Sequence, residues 1–203
     1  MKKNPFSGKF IVFEGIDGAG GGTQSGLLLN YLKKEKIPAE RLIYPDYQGP
    51  IGKLIHEFLN KKYELPVKLQ FLLYFTDFIK DRGKIKNWLR QRKIVICDRY
   101  FTSALAYQGL KGFPVKTALK IAKNFDLPKP DLIIYLKISP ETSMKRKIKE
   151  KRNLDRHEAD EKFLGFLGKS YERLIKKQIF SRWIAIDGEK PAKEVFEEIK
   201  SKL

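Results

Sequence analysis

Cysteine is almost missing from this chain of 203 residues: Cys97 stands alone and cannot close an internal disulfide, which points to a reducing, cytoplasmic setting. No apolar run approaches the length of a membrane span, so no membrane partner is expected. The opening MKKNPFSGKF has lysines but no apolar core of the signal-peptide kind, so no secretory leader is expected. Acidic residues are in short supply, 24 against 42 lysines and arginines, for a net charge of +18. That excess invites a nucleic-acid reading. There is no aromatic–basic module, zinc-finger spacing or separate basic tail to go with it. We therefore read it as lysines on solvated helix faces, with attraction of a small acidic ligand as a secondary benefit, and expect no nucleic-acid partner. With 42% hydrophobic and 33% charged residues the composition fits one soluble globular domain over 1–203, without internal repeats.

What is present is organised around residues 10–24, FIVFEGIDGAGGGTQ. A buried strand leads into a glycine-dense turn and the start of a helix. Gly15, Ile16, Asp17, Gly18, Ala19 and Gly20 reproduce the first six places of the phosphate-binding pattern G-x-x-x-x-G-K-[ST]. Glycines let backbone N–H groups curl around an anion, and the following helix points its positive end at it. Gly21 then stands where lysine belongs and Gly22 where a hydroxyl belongs, followed by Thr23 and Gln24. The stretch has the backbone half of a phosphate cradle and lacks its cation. On its own it reads equally well as a structural turn.

Strands are expected at 10–13, 41–44, 93–97, 131–136 and 183–186. Helical patterns separate them, including one long apolar helical segment over 66–89 and a charged excursion, MKRKIKEKRNLDRHEADEK. This alternation predicts an α/β fold around a parallel sheet. In such sheets ligands gather at the carboxyl ends of the strands. Three features fall there together: the glycine loop, PDY after the second strand, and Asp98-Arg99-Tyr100 after the third. Asp98 is placed to orient a magnesium ion, through water, and Arg99 offers a fork of donors to a phosphate. A structural ion pair at a strand end would explain Asp98-Arg99 equally well.

The order FIVFEGIDGAG…GTQ, IVICDRYFTSALAYQG, PDLIIYL, LDRHEADEKF resembles the thymidylate kinase family over nearly the whole chain. The most specific part is DRYFTSALAYQG. The resemblance implies a three-layer P-loop kinase fold, a five-stranded parallel sheet flanked by helices, with a flexible lid over about 145–161. It implies transfer of the γ-phosphoryl group of ATP to dTMP, with Mg2+, in a homodimer. Residues 15–24 would then bind ATP, and Thr23 and Asp98 would serve the metal. Asp17 matches the acidic residue near the acceptor 3′-hydroxyl, and Arg99 the arginine facing the transferred group. Tyr74 matches the aromatic stacked on the base, and Tyr107 the tyrosine crowding the 2′ position. Ser103 and Gln108 line the acceptor site, while Arg152 and Arg156 in the lid reach for the phosphoryl group.

The chain departs from the pattern at Gly21 and Gly22, at Phe78, where relatives carry an arginine for the base, and at Tyr47, where they carry one for the acceptor phosphate. Asp81, Arg82 or Gln108 are candidates to compensate. Two other outcomes stay open: a kinase for another pyrimidine monophosphate, or a silent nucleotide or nucleic-acid binder. Because Asp17, Asp98, Arg99 and the acceptor segment are intact, activity is the expectation.

Overall fold

A computed structural model describes residues 8–149, 156 and 160–203. Its strands are β1 (Phe10–Glu14), β2 (Ala39–Ile43), β3 (Ile94–Asp98), β4 (Leu132–Lys137) and β5 (Trp183–Asp187). They form one parallel sheet in the order β2-β3-β1-β4-β5. All five residues of β1 are buried, as a central strand covered on both faces requires. The chain leaves β1 toward β2 on one side, whereas its neighbour β4 leads to β5 on the other. The carboxyl end of β1 is thus at a point where connections diverge, and a crevice opens there.

Helices flank the sheet: α1 (Gly21–Lys34), α2 (Pro50–Leu59), α3 (Val67–Ile79), α4 (Arg82–Arg90), α5 (Phe101–Leu110), α6 (Val115–Asn124), α7 (Pro140–Lys149), α8 (Glu161–Lys176) and α9 (Ala192–Lys202). Each of the five strands lies where the apolar pattern placed it. One main core joins the sheet to α1, α3, α5, α8 and α9, and Ile55, Phe58 and Leu59 of α2 form a small satellite.

The single helical segment expected over 66–89 is divided. α3 stops at Ile79 and α4 restarts at Arg82. The reason is electrostatic. Asp77 is fully buried, and the Lys80 ammonium lies 3.1 Å from it, 3.2 Å from Asp46 and 2.6 Å from Asp81. Asp81 also accepts from the Tyr44 hydroxyl at 3.0 Å. Buried carboxylates need such partners, and the turn at Lys80-Asp81, in which Lys80 keeps helical dihedrals and its bond to the Thr76 carbonyl, sets the ammonium among all three. Of the expected lid, 145–149 complete α7 and 161 opens α8, whereas 150–155 and 157–159 lie outside the described residues.

Candidate active site

The loop after β1 takes its shape from glycines at positive φ, Gly18 at 77° and Gly20 at 93°. Gly20 precedes the first turn of α1, so Gly21 and Gly22 are themselves helical. Their missing side chains leave a gap that Asp98, at the end of β3, fills. A Cβ on Gly21 would collide with Asp98 Oδ1, and one on Gly22 would sit 3.3 Å from Oδ2. The Asp98 carboxylate has no hydrogen bond among the described residues. Burial raises its pKa above the ordinary value, while Arg99 and Arg41 favour its ionised form.

Arg99 adopts a left-handed backbone, φ 64°, a conformation that ordinary side chains hold only when their surroundings fix it. Its guanidinium bonds Asp17 Oδ1 at 2.6 Å and the Gly15 carbonyl at 3.0 Å. The Tyr107 hydroxyl donates to the other Asp17 oxygen at 2.9 Å. Asp17, Arg99 and Tyr107, expected to work together, are thus in mutual contact.

Beneath them lies a residue that reading the sequence passed over. Glu14 is 1% exposed. Its Oε1 accepts from the Tyr100 backbone N–H (3.1 Å) and Thr102 (2.6 Å), its Oε2 from Ser103 (2.5 Å) and Tyr171 (2.9 Å). Burial raises its pKa, and the side-chain hydrogen bonds from Ser103, Thr102 and Tyr171 act in the other direction. The available signal was a carboxylate closing an otherwise apolar strand, FIVFE.

A second omission is Arg146 on α7. It donates to the carbonyls of Gly18 (3.1 Å) and Gly188 (2.8 Å), while Ser143 one turn earlier donates to the carbonyl of Asp17 at 2.5 Å. Helix α7 is therefore fastened to the glycine loop.

Two cavities meet at these residues. The larger, about 910 Å³, follows the loop from Gly15 to Gln24 and reaches Asp98, Arg146 and Gly188. The smaller, about 70 Å³ and mostly apolar, holds Tyr74, Phe78, Ser103, Ala104 and Gln108. Asp17, Tyr44, Pro45, Tyr47 and Arg99 border both. Tyr74, Ser103, Tyr107 and Gln108 thus line one pocket. Gln108 is 1% exposed and its Oε1 has no hydrogen-bond partner among the described residues. Neither of the other compensators offered for Phe78 faces that pocket. Arg82 donates to the Phe125 carbonyl at 2.8 Å, and Asp81 is held by Lys80 and Tyr44.

Arg152 lies outside the described residues. Arg156 is placed at the end of α2, away from the glycine loop. It bonds Glu64 at 2.6 Å and the carbonyls of Phe58 and Tyr63 at 3.2 Å, and lies 4.5 Å from the Phe58 ring centre. Thr23, the third residue of α1, is exposed.

Comparison with known proteins agrees with this geometry. The thymidylate kinase family model matches residues 13–199. A thymidylate kinase of Carboxydothermus hydrogenoformans is 36% identical over 97% of this chain and 97% of its own length. A probable thymidylate kinase of Methanocaldococcus jannaschii is 35% identical over 94% of this chain and 93% of its own. The thymidylate kinase of Dictyostelium discoideum is 31% identical over 96% of this chain and 84% of its own. With a phosphate loop, a DR pair and an apolar pocket on one sheet edge, and relatives aligned along nearly their whole length, this chain belongs to the thymidylate kinase family.

Proposed function

We propose that this protein is a nucleoside monophosphate kinase that transfers the γ-phosphoryl group of ATP to dTMP, giving dTDP and ADP. The observation that carries the reading is the wall of Asp17 and Arg99 shared by the two cavities. ATP enters along the loop at residues 15–24, and dTMP takes the smaller pocket, its phosphate toward Arg99. A phosphate oxygen of dTMP attacks the γ-phosphorus, the bond to the bridging oxygen breaks, and ADP leaves with that electron pair. The attacking oxygen is already anionic, so alignment and charge neutralisation are the main demands on the protein. Asp17 orients the sugar through its 3′-hydroxyl, Tyr74 stacks on the base, and Tyr107 disfavours a 2′-hydroxyl. Gln108 and Ser103 read the base edge in place of the arginine that Phe78 replaces.

Magnesium belongs to the proposal. Mg2+ takes one or two carboxylates, water and substrate phosphates. Asp98, a carboxylate at the cleft with no hydrogen bond among the described residues, fits as such a ligand, with Thr23 in the first turn of α1 lining the same cavity. The ion would neutralise charge on the terminal phosphates. The chain is read as a single domain with a lid at 145–161, in which Arg152 remains the candidate to reach the phosphoryl group. It is read also as a cytoplasmic homodimer, a state supported by the exposed Leu54, Leu69 and Leu72 on α2 and α3. No described helix is long and apolar enough to cross a membrane.

A coupled ADP-release assay across dTMP, dUMP, dCMP and UMP tests the reading. The highest kcat/KM is expected for dTMP. A preference for UMP overturns the choice of substrate, and absence of turnover with every monophosphate overturns the activity.

A further inference from the structure

The loop from Gly15 to Gln24 contains no cation of its own; Arg99, Arg146, Lys147, Lys149 and Lys190 line the cavity beside it, and both arginines are already bonded to the loop or its flank. Arg99 is tied to Asp17 and the Gly15 carbonyl, Arg146 to the carbonyls of Gly18 and Gly188. A third arginine approaches from an unexpected side. Arg41, on the edge strand β2, reaches across to α1 and donates through Nη2 to the Gly22 carbonyl at 2.8 Å. Among the described residues this is its one hydrogen bond, and it has no ion pair. Its Nε is buried without a partner. A guanidinium offers five donors, so most of this group's capacity is held in reserve.

The sequence of α1 makes room for it. A Cβ at Gly26 would lie 3.6 Å from Arg41 Nη1, and one at Gly22 3.9 Å from Nη2. These two positions are four residues apart and therefore on one helix face. Their glycines form a groove along the flank of α1 in which the guanidinium lies. Gly22 also lines the larger cavity, at the place where the phosphate-loop pattern puts a hydroxyl side chain. A side chain there would stand between Arg41 and the cleft. Arg41 is not itself among the residues lining the cavity, but a Cβ at Gly22, which does line it, would lie 3.3 Å from Asp98 Oδ2 and 3.9 Å from Arg41 Nη2, so no side chain at 22 intervenes. The Gly22 carbonyl also accepts from Ser25 Oγ at 3.2 Å, so departure of the arginine leaves it partnered.

We propose that Arg41 supplies, from outside the loop, the positive charge that the loop lacks, turning past Gly22 to bond the β- and γ-phosphates of the bound nucleoside triphosphate. The glycines at 21, 22 and 26 and the arginine at 41 then form one device: the loop gives up its side chains and a strand residue comes through the opening. A planar fork suits two phosphate oxygens better than a point charge does. The proposal rests on the reading of the loop as the triphosphate site.

Calorimetric binding of ATP, ADP, AMP and dTMP to the full chain tests it, with Arg41→Gln and Arg41→Lys beside the parent. Loss of a charge-assisted hydrogen bond predicts that Arg41→Gln weakens ATP and ADP about tenfold to a hundredfold. AMP and dTMP should stay within about twofold, and Arg41→Lys, which keeps the charge without the fork, should recover only part of the ATP affinity. Unchanged ATP affinity in Arg41→Gln, or equal loss for all four ligands, would make Arg41 a clamp between β2 and α1 and overturn the proposal. So would failure of both variants to fold. A parent chain that binds ATP without phosphorylating dTMP overturns the functional reading and leaves this one standing. A parent that binds no ATP overturns both.

Discussion

Four donors converge on the Glu14 carboxylate, and two of them, the Tyr100 amide and the Thr102 hydroxyl, belong to the turn that carries Arg99. The left-handed backbone of Arg99 is thus fixed from below by the buried Glu14 carboxylate. In Glu14→Gln one oxygen becomes an NH2 group that must face two donors. A loss of about 2–4 kcal/mol is expected, read as a lower urea midpoint at unchanged slope. Asp98 behaves in the opposite sense. Burial raises its pKa, so the folded state binds its proton more tightly than the unfolded chain does. The stability it contributes is fully present below the ordinary carboxylate range and is lost as pH rises through the raised value. Asp98→Asn should therefore raise the Tm of the ligand-free protein by about 2–4 °C at neutral pH and flatten that pH dependence, while lowering magnesium-dependent turnover at least a hundredfold. A lower Tm for the variant would show that the carboxylate is structurally paired.

At the scale of elements, the three central strands could be read in advance because a central parallel strand is a continuous apolar run, and IVIC and LIIYL admit few alternatives, whereas the edge strand β2, AERLI, begins two residues before the expected RLIY. The break between α3 and α4 could not. Nothing in YFTDFIKDRG announces that Lys80 will gather Asp46, Asp77 and Asp81, since one of those partners is distant in sequence and apolar residues continue on both sides. The same limit concealed the anchor of the glycine loop. In MKRKIKEKR one arginine looks like another, and the choice of Arg146 over its neighbours is made by which helix face meets Gly18 and Gly188. Ser143 and Arg146, three positions apart on that face, hold α7 to the loop as a pair. Arg146→Ala leaves the serine contact, so the fold should persist while the loop loosens. The expected result is an ATP KM higher by about fivefold to twentyfold with dTMP KM within twofold, measured by varying each substrate in turn. An equal rise in both would place the effect in the whole sheet edge.

At the scale of the molecule, the site falls into a part legible from a linear pattern and a part that only folding reveals. The glycine loop, Asp98-Arg99 and the FTSALAYQG run are contiguous stretches whose spacing carries the chemistry, and the structure gathers Asp17, Arg99 and Tyr107 within bonding distance. Glu14, Arg41 and Arg146 are single polar residues in strands and helices whose role depends on what lies across the sheet. The absence of the loop lysine was plain from the sequence. That Asp98 would occupy the space it left was not, because that fact belongs to the junction of β1, β3 and α1. This occupation constrains any side chain at position 21. Reinstating lysine at position 21 forces its Cβ onto Asp98 Oδ1, so the carboxylate must swing out of the cleft in the same step. Gly21→Lys alone should accordingly give a slower and less stable enzyme than the parent, readable in kcat and in the urea midpoint. A side chain at position 21 and the present position of the Asp98 carboxylate are mutually exclusive, and whichever group holds the space sets what the mouth of the cleft presents.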